Sequence, residues 1–310
     1  MFRCKEILVV VETSDINSTA LKRAVWLTRH TNAHLTILYI AYSALIAMQS
    51  HFRQRYAQSE KQALIKKDFE WLNRLVSSFR FNDLDIETKI KWGSSANTII
   101  AEQVAHNNYD LVIKRAGSNK KSFVDSFFST DMDLLRHCAC PVMLVAEDRK
   151  HRGGVMCAVD TETSVASNQS FNEELTKQAC QISEYFGTQT HLVNSYFDDL
   201  ENMYINIPDT SEPPIEHVAQ RQHQQDLENL AKLHAITTAN QHLEQGHPDH
   251  VIPKVADRTD VSLLVMGIKT RIGLNEFLFG HTAEHILDSI HCDVLAIPPN
   301  AFTGNLESTQ

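Results

Sequence analysis

Apolar residues fall along this chain in two alternating patterns. One is the short unbroken run rich in β-branched residues: Glu6–Val11, His34–Ile40, Asp110–Lys114 and Pro141–Val145. Such runs predict strands buried on both faces, because a half-exposed strand would alternate. Asp85–Ile90 does alternate and reads as a more exposed strand. Between the runs, apolar residues recur every three or four positions, the mark of one helix face. Helices are expected over about Ser18–His30, Gln58–Phe79, Ser95–Ala105 and Thr130–His137. The longest carries the stripe Ile65, Phe69, Leu72, Val76, Phe79.

The succession then repeats. Val155–Asp160 echoes the first strand, Glu173–Tyr185 the first helix and Thr190–Ser195 the second strand. Helix Ile215–Ala239, a poor short strand near His242–Gln245, strand Val261–Met266, a helix from Ala283 and strand Cys292–Ile297 complete the second half. A period of about 150 residues is one domain length. The chain therefore reads as a duplicated domain, 1–150 and 151–310, joined through the charged, glycine-ended stretch 147–154. Strands alternating with helices imply an α/β architecture, a doubly wound parallel sheet with helices on both faces, since each parallel crossover needs a helix. Ligands of such sheets lie beyond the carboxyl ends of the strands, where the strand order reverses.

The candidate chemistry gathers in Val261–Pro298. A buried-strand run ends at Met266 and Gly267; a polar loop, Ile268–Gly273, follows; then come Gly280, His281 and Thr282 at the start of a helical pattern. Strand, glycine loop and helix N-terminus form an arrangement suited to phosphate, because glycines let backbone N–H groups approach an anion. In these residues the chain resembles the universal stress proteins. Their nucleotide-binding members carry Gly-x-x-Gly, a nine-residue spacer, then Gly-Ser or Gly-Thr. Gly267 and Gly280 stand where the first and last glycines belong, and Gly273 and Arg271 suit the loop. Thr270 replaces the second glycine and His281 the hydroxyl residue, with Thr282 next to it. The strand Tyr109–Lys114, Trp92 and Leu278–Glu284 resemble the tandem two-domain members.

The resemblance implies two five-stranded sheets of order 3-2-1-4-5, packed as a pseudo-dimer. It also implies ATP or a related nucleotide as ligand, with Mg alongside it, and a role in surviving stress such as DNA damage. By the same resemblance Asp160 is the acidic residue that contacts the nucleoside, while Ser195 and Met266 line the base pocket. With the halves aligned on Cys140 and Cys292, Gly267 faces Arg115, Thr270 faces Ser118, Gly273 faces Lys121 and Gly280 faces Phe128. Glu12 stands in place of Asp160, and Asp131 and Asp133 are expected in the first turn of the last helix of the first half. The first half thus reads as a degenerate nucleotide site and the second as a partly retained one.

Composition narrows the alternatives. A formal charge of −9 with scattered Lys and Arg argues against nucleic acid or an anionic membrane as the main partner. No apolar run approaches the roughly 20 residues of a membrane span, and the first residues lack a signal-peptide pattern. Six irregularly spaced cysteines read as reduced thiols, so a cytoplasmic protein is expected. Neither His247–His250 nor His137–Cys140 shows the paired spacing of a structural zinc site. No nucleophile elbow occurs, which leaves nucleophilic catalysis without support. The leading reading, which the resemblance implies, is a non-enzymatic, nucleotide-responsive regulatory or protective module. Slow ATP hydrolysis remains an alternative. So does carriage of a small apolar ligand, because the greasy segments Tyr42–Tyr56 and Tyr196–Pro214 read as long loops, either lids over the core or the lining of a cavity. Association into a homodimer is left open.

Overall fold

The computed structural model describes residues 4–13, 15, 18–52, 54–79, 81, 83–117, 127–146, 153–161, 166–196, 215–268, 281–299 and 301–302. The chain divides into two compact units, Arg3–Asp148 and Arg149–Gln310. The first runs β1 (Glu6–Val11), α1 (Thr19–Thr31), β2 (His34–Ala41), α2 (Ala44–Phe52), α3 (Gln54–Ser78), β3 (Ile86–Trp92), α4 (Ala96–Asn107), β4 (Leu111–Arg115), α5 (Phe127–His137) and β5 (Val142–Val145). The second runs β6 (Val155–Ala158), α6 (Ala166–Phe186), β7 (Thr190–Tyr196), α7 (Ile215–Leu233), β8 (Gln241–Gln245), α8 (Pro248–Thr259), β9 (Leu263–Gly267), α9 (His281–Ser289) and β10 (Asp293–Ile297).

Strands lie in the order β3-β2-β1-β4-β5 in the first unit and β8-β7-β6-β9-β10 in the second. All these neighbours are parallel. In each unit the order therefore reverses between the first and fourth strands, as the resemblance implies. Adjacent residues of one strand face opposite layers. Met156 packs with Val251, Val255 and Ile286 of α8 and α9, whereas the Cys157 thiol meets the Thr176 hydroxyl of α6. That double covering is why the central strands are apolar throughout: Ile7, Leu8, Val9, Leu111, Val112 and Ile113 are all fully buried. Helices α1, α4 and α8 end on Asn32, Asn108 and Asp260 in the left-handed conformation, which short polar side chains tolerate best after glycine.

Several sequence expectations are corrected. Tyr42–Tyr56 is not a long loop: it holds α2 and the start of α3. Apolar residues run all round α2, so it shows no helical period, and Leu45 and Met48 remain exposed beside buried Ile46. Tyr196–Pro214 lies, after Tyr196, outside the described residues. The stripe read along α3 is turned by one position, with Phe69 48% exposed and Asp68 buried beside Leu72. The cause is polar: the Asp68 carboxylate accepts the Tyr39 hydroxyl, and Trp71 packs on the Tyr39 ring. α8 was not foreseen, because Pro253 interrupts its pattern; the ring is buried, and Val251, Ile252, Val255 and Ala256 form the apolar face. Finally, α5 begins at Phe127, which puts Asp131 and Asp133 in its second turn rather than its first.

Candidate functional site

The candidate site lies at the carboxyl ends of β7, β6 and β9, which are adjacent in that order. Ala158 pairs with Val193 on one side and Met266 on the other, so Ser195 and Asp160 lie level at this edge, with Gly267 one residue short of them. Met266 is buried in the α8–α9 layer. Gly267 closes β9, and a Cβ there would collide with the ring of Phe171 on α6. A side chain at this position would therefore force the Phe171 ring to shift, whatever else the glycine serves. His281 opens α9; Thr282 is exposed in its first turn, which also carries Glu284. Thr270, Arg271, Gly273 and Gly280 lie outside the described residues.

Side chains that sequence reasoning did not single out organise the edge. The Asn172 amide donates to the Asp160 carbonyl at 2.7 Å and its oxygen accepts the Asp160 N–H at 3.4 Å, pinning the backbone of that turn. Next to it, the Asn194 amide donates to the Thr161 hydroxyl, which is also 2.7 Å from His223 Nδ1 on α7. His223 in turn stacks against Tyr196, with ring centroids 6.0 Å apart. Asparagine and imidazole beside a carboxylate supply the directional hydrogen bonds that suit a nucleoside. The one available sequence signal was Asn194, a polar residue inside an otherwise apolar run. Among the described residues, no group of three or more His, Cys, Asp or Glu side chains is placed to hold a metal ion.

The first unit has a different arrangement at the same place. Val10 pairs with Lys114 as Ala158 pairs with Met266, so Glu12 corresponds to Asp160 and Lys114 to Met266. Lys114 also pairs with Leu144 as Met266 pairs with Ala296; without gaps, Asp131 then corresponds to Ala283. The Lys114 ammonium is 2.9 Å from Asp131 and 3.4 Å from Glu12. Burial alone would push that ammonium's pKa down, but the charges of Asp131 and Glu12 and the hydrogen bonds to both outweigh it and raise the value. The second unit has a thioether and a methyl group at the positions of Lys114 and Asp131, and keeps a carboxylate, Asp160, at that of Glu12.

Comparison with known proteins agrees with the duplicated fold. The sequence profile of the universal stress protein family matches residues 3–146 and again 156–298. Universal stress protein E homolog of Haemophilus influenzae is 30% identical over 302 residues, covering 96% of this chain and 98% of that protein. Universal stress protein E of Escherichia coli K12 is 26% identical over 305 residues, with 98% and 96% covered. Among solved structures, a Pseudomonas aeruginosa UCBPP-PA14 protein superposes with a TM-score of 0.73 at 24% identity, covering 99% of this chain and 97% of that one. A universal stress protein from Archaeoglobus fulgidus does so at 0.64 and 15%, with 96% and 97% covered. No helix among the described residues is long and apolar enough to cross a membrane. The chain belongs to the universal stress protein family, a stress-response family, as two tandem domains of it, and is similar to universal stress protein E along nearly its whole length.

Proposed function

We propose that this protein binds one adenine nucleotide per chain, ATP or a close relative, in its second unit, and that occupancy sets its state as a non-enzymatic stress-response module. The observation that carries the reading is the asymmetry between equivalent strand ends. The first unit fills its position with an ammonium and two carboxylates. The second has Met266 and Ala283 there, beside a row of Asp160, Asn194, Thr161 and His223. The described residues fit the nucleoside end. By the family resemblance the Asp160 carboxylate would contact the nucleoside, and the amide and imidazole offer donors and acceptors to a base. The phosphate end would rest on residues 269–280, with Arg271 offsetting charge.

Titration calorimetry with ATP tests the proposal. One site per chain is expected in the wild type. Asp160→Asn should weaken binding several-fold, because Asn172 holds the backbone of that turn while the substitution removes only the charge. Two equal sites, no binding, or an unchanged Asp160→Asn variant would overturn it. Gly267 is a poor probe, since any side chain there strikes Phe171 and disturbs the fold first.

A further inference from the structure

The ion cluster of the first unit has a geometry that an ordinary salt bridge does not need. Lys114 is 5% exposed, and its ammonium donates to Asp131 Oδ1 at 2.9 Å and to the carbonyl of Arg115 at 3.1 Å. The other oxygen, Asp131 Oδ2, accepts the backbone N–H of Gly117 at 2.7 Å. One carboxylate therefore bridges a buried ammonium and a main-chain N–H in the loop that leaves a central strand. Those are two donors of the kinds that hold a bound oxyanion. Asp131 reaches them from the second turn of α5, 17 positions along the chain from Lys114, and not from a neighbouring turn of its own helix.

The fold does not require these charges. The second unit builds the same strand, register and helix with Met266 and Ala283 at the two positions. Buried ion pairs are often no better for stability than an apolar replacement of similar volume, so stability alone does not account for the cluster. We infer that the first unit holds an oxyanion site whose ligand is the chain's own Asp131: a tethered carboxylate, bound to Lys114 and the Gly117 N–H, keeps the unit permanently in a loaded state and closed to free phosphate. The ligand class of the site, once Asp131 is removed, is a small oxyanion such as inorganic phosphate. This inference is independent of nucleotide binding in the second unit.

Chemical rescue tests it on the full chain. The three tryptophans, Trp26, Trp71 and Trp92, all belong to the first unit, so thermal unfolding followed by tryptophan fluorescence reports that unit. Asp131→Ala should lower the midpoint. Added inorganic phosphate should then raise it saturably, by roughly 2–4 °C beyond any effect on wild type, with sodium chloride of equal ionic strength as control. The double variant Lys114→Met with Asp131→Ala should show no phosphate response. Asp131→Ser, whose short side chain also vacates the carboxylate position, supplies the same readout should the alanine variant fail to fold. A phosphate response no larger than wild type in both Asp131 variants overturns the inference, and so does an equal response in the double variant.

Discussion

The two units share strand order, register and helix placement, yet differ at the carboxyl ends of their strands. In the first unit the position beside the fourth strand is an ammonium held by two carboxylates; in the second it is the side chain of a methionine. A similar substitution occurs one strand away. Tyr39 and Asn194 are equivalent in register, and each reaches the long helix that follows its strand, Tyr39 to Asp68 and Asn194 to His223. The fold thus fixes where polar bridges cross from sheet to helix, while residue identity decides whether a strand end is internally neutralised or left to interact outward. A duplicated domain can change one copy's answer while keeping its central strands, because these largely buried positions lie toward the carboxyl ends of their strands, away from residues such as Ile7, Leu35 and Leu111.

The largest expected effect comes from breaking the closed end. Lys114→Met leaves Glu12 and Asp131 together without their cation, and removing one partner of a buried ion cluster costs about 3–5 kcal/mol. Urea unfolding followed by tryptophan fluorescence should show that loss in the first unit. A change below about 1 kcal/mol would mean that Lys114 is effectively solvated and that the end is not closed.

Converting the open end to the closed one is the next test. Met266→Lys with Ala283→Asp transplants the cluster onto the second unit, where Asp160 already stands in the place of Glu12. The transplanted carboxylate should compete with phosphate, so ATP binding should fall at least tenfold, about 1.4 kcal/mol. The single Met266→Lys variant should be less stable than the double, because its ammonium lacks the added carboxylate. Undiminished ATP binding in a folded double variant would show that this position plays no part in the site.

Much of the fold was legible because it rests on local pattern. Buried parallel strands are apolar runs, and amphipathic helices show their period, so the strands and most helices could be placed from sequence. The failures have different causes. α2 is apolar all round and shows no period, and Pro253 interrupts the pattern of α8. In α3 a residue's orientation was set by a partner distant in sequence. Asp68 turns inward for Tyr39, and α8 tolerates Pro253 because a buried ring suits its apolar face. The site behaved as α3 did. Asp160, Met266 and Gly267 could be placed at strand ends, but Thr161, Asn194 and His223 meet from three separate elements, and nothing local in the sequence announces that meeting. Lys114 at the end of an apolar strand was visible, whereas its bond to Asp131, 17 positions later, was not.

The units should also lose stability at opposite ends of the pH scale. Lys114 is held above the ordinary lysine value of 10.5, so the folded first unit keeps its proton more tightly than the unfolded chain. That contribution is complete below about 10.5 and is lost as pH rises through the raised folded value. In the second unit, His191 and His242 lie 3.1 Å apart, and burial pushes both below the ordinary histidine value of 6.5; the charges of His191 and Arg258 add to the effect on His242. Their neutral forms favour the folded state, a contribution complete above about 6.5 that declines as pH falls below it. Tryptophan fluorescence should therefore report an alkaline loss. His191→Phe should reduce an acid loss seen by circular dichroism but not by fluorescence. An acid transition identical in both signals would contradict the assignment.

The smallest expected effect separates the two readings of α3. The apolar stripe in the sequence points Phe69 inward, and a buried Phe replaced by a small polar residue would cost several kcal/mol, of the order of 3–5. The structure instead leaves Phe69 48% exposed and turns Asp68 to Tyr39. Phe69→Ser should then change stability by no more than about 0.5 kcal/mol, the ordinary range for surface positions. Asp68→Ala should cost more, about 1 kcal/mol or slightly above, because the Tyr39 hydroxyl loses its acceptor. Both can be read from urea midpoints in tryptophan fluorescence, with Trp71 adjacent on the Tyr39 ring. The reverse ranking would place Phe69 in the core and return α3 to the register that its sequence stripe suggests.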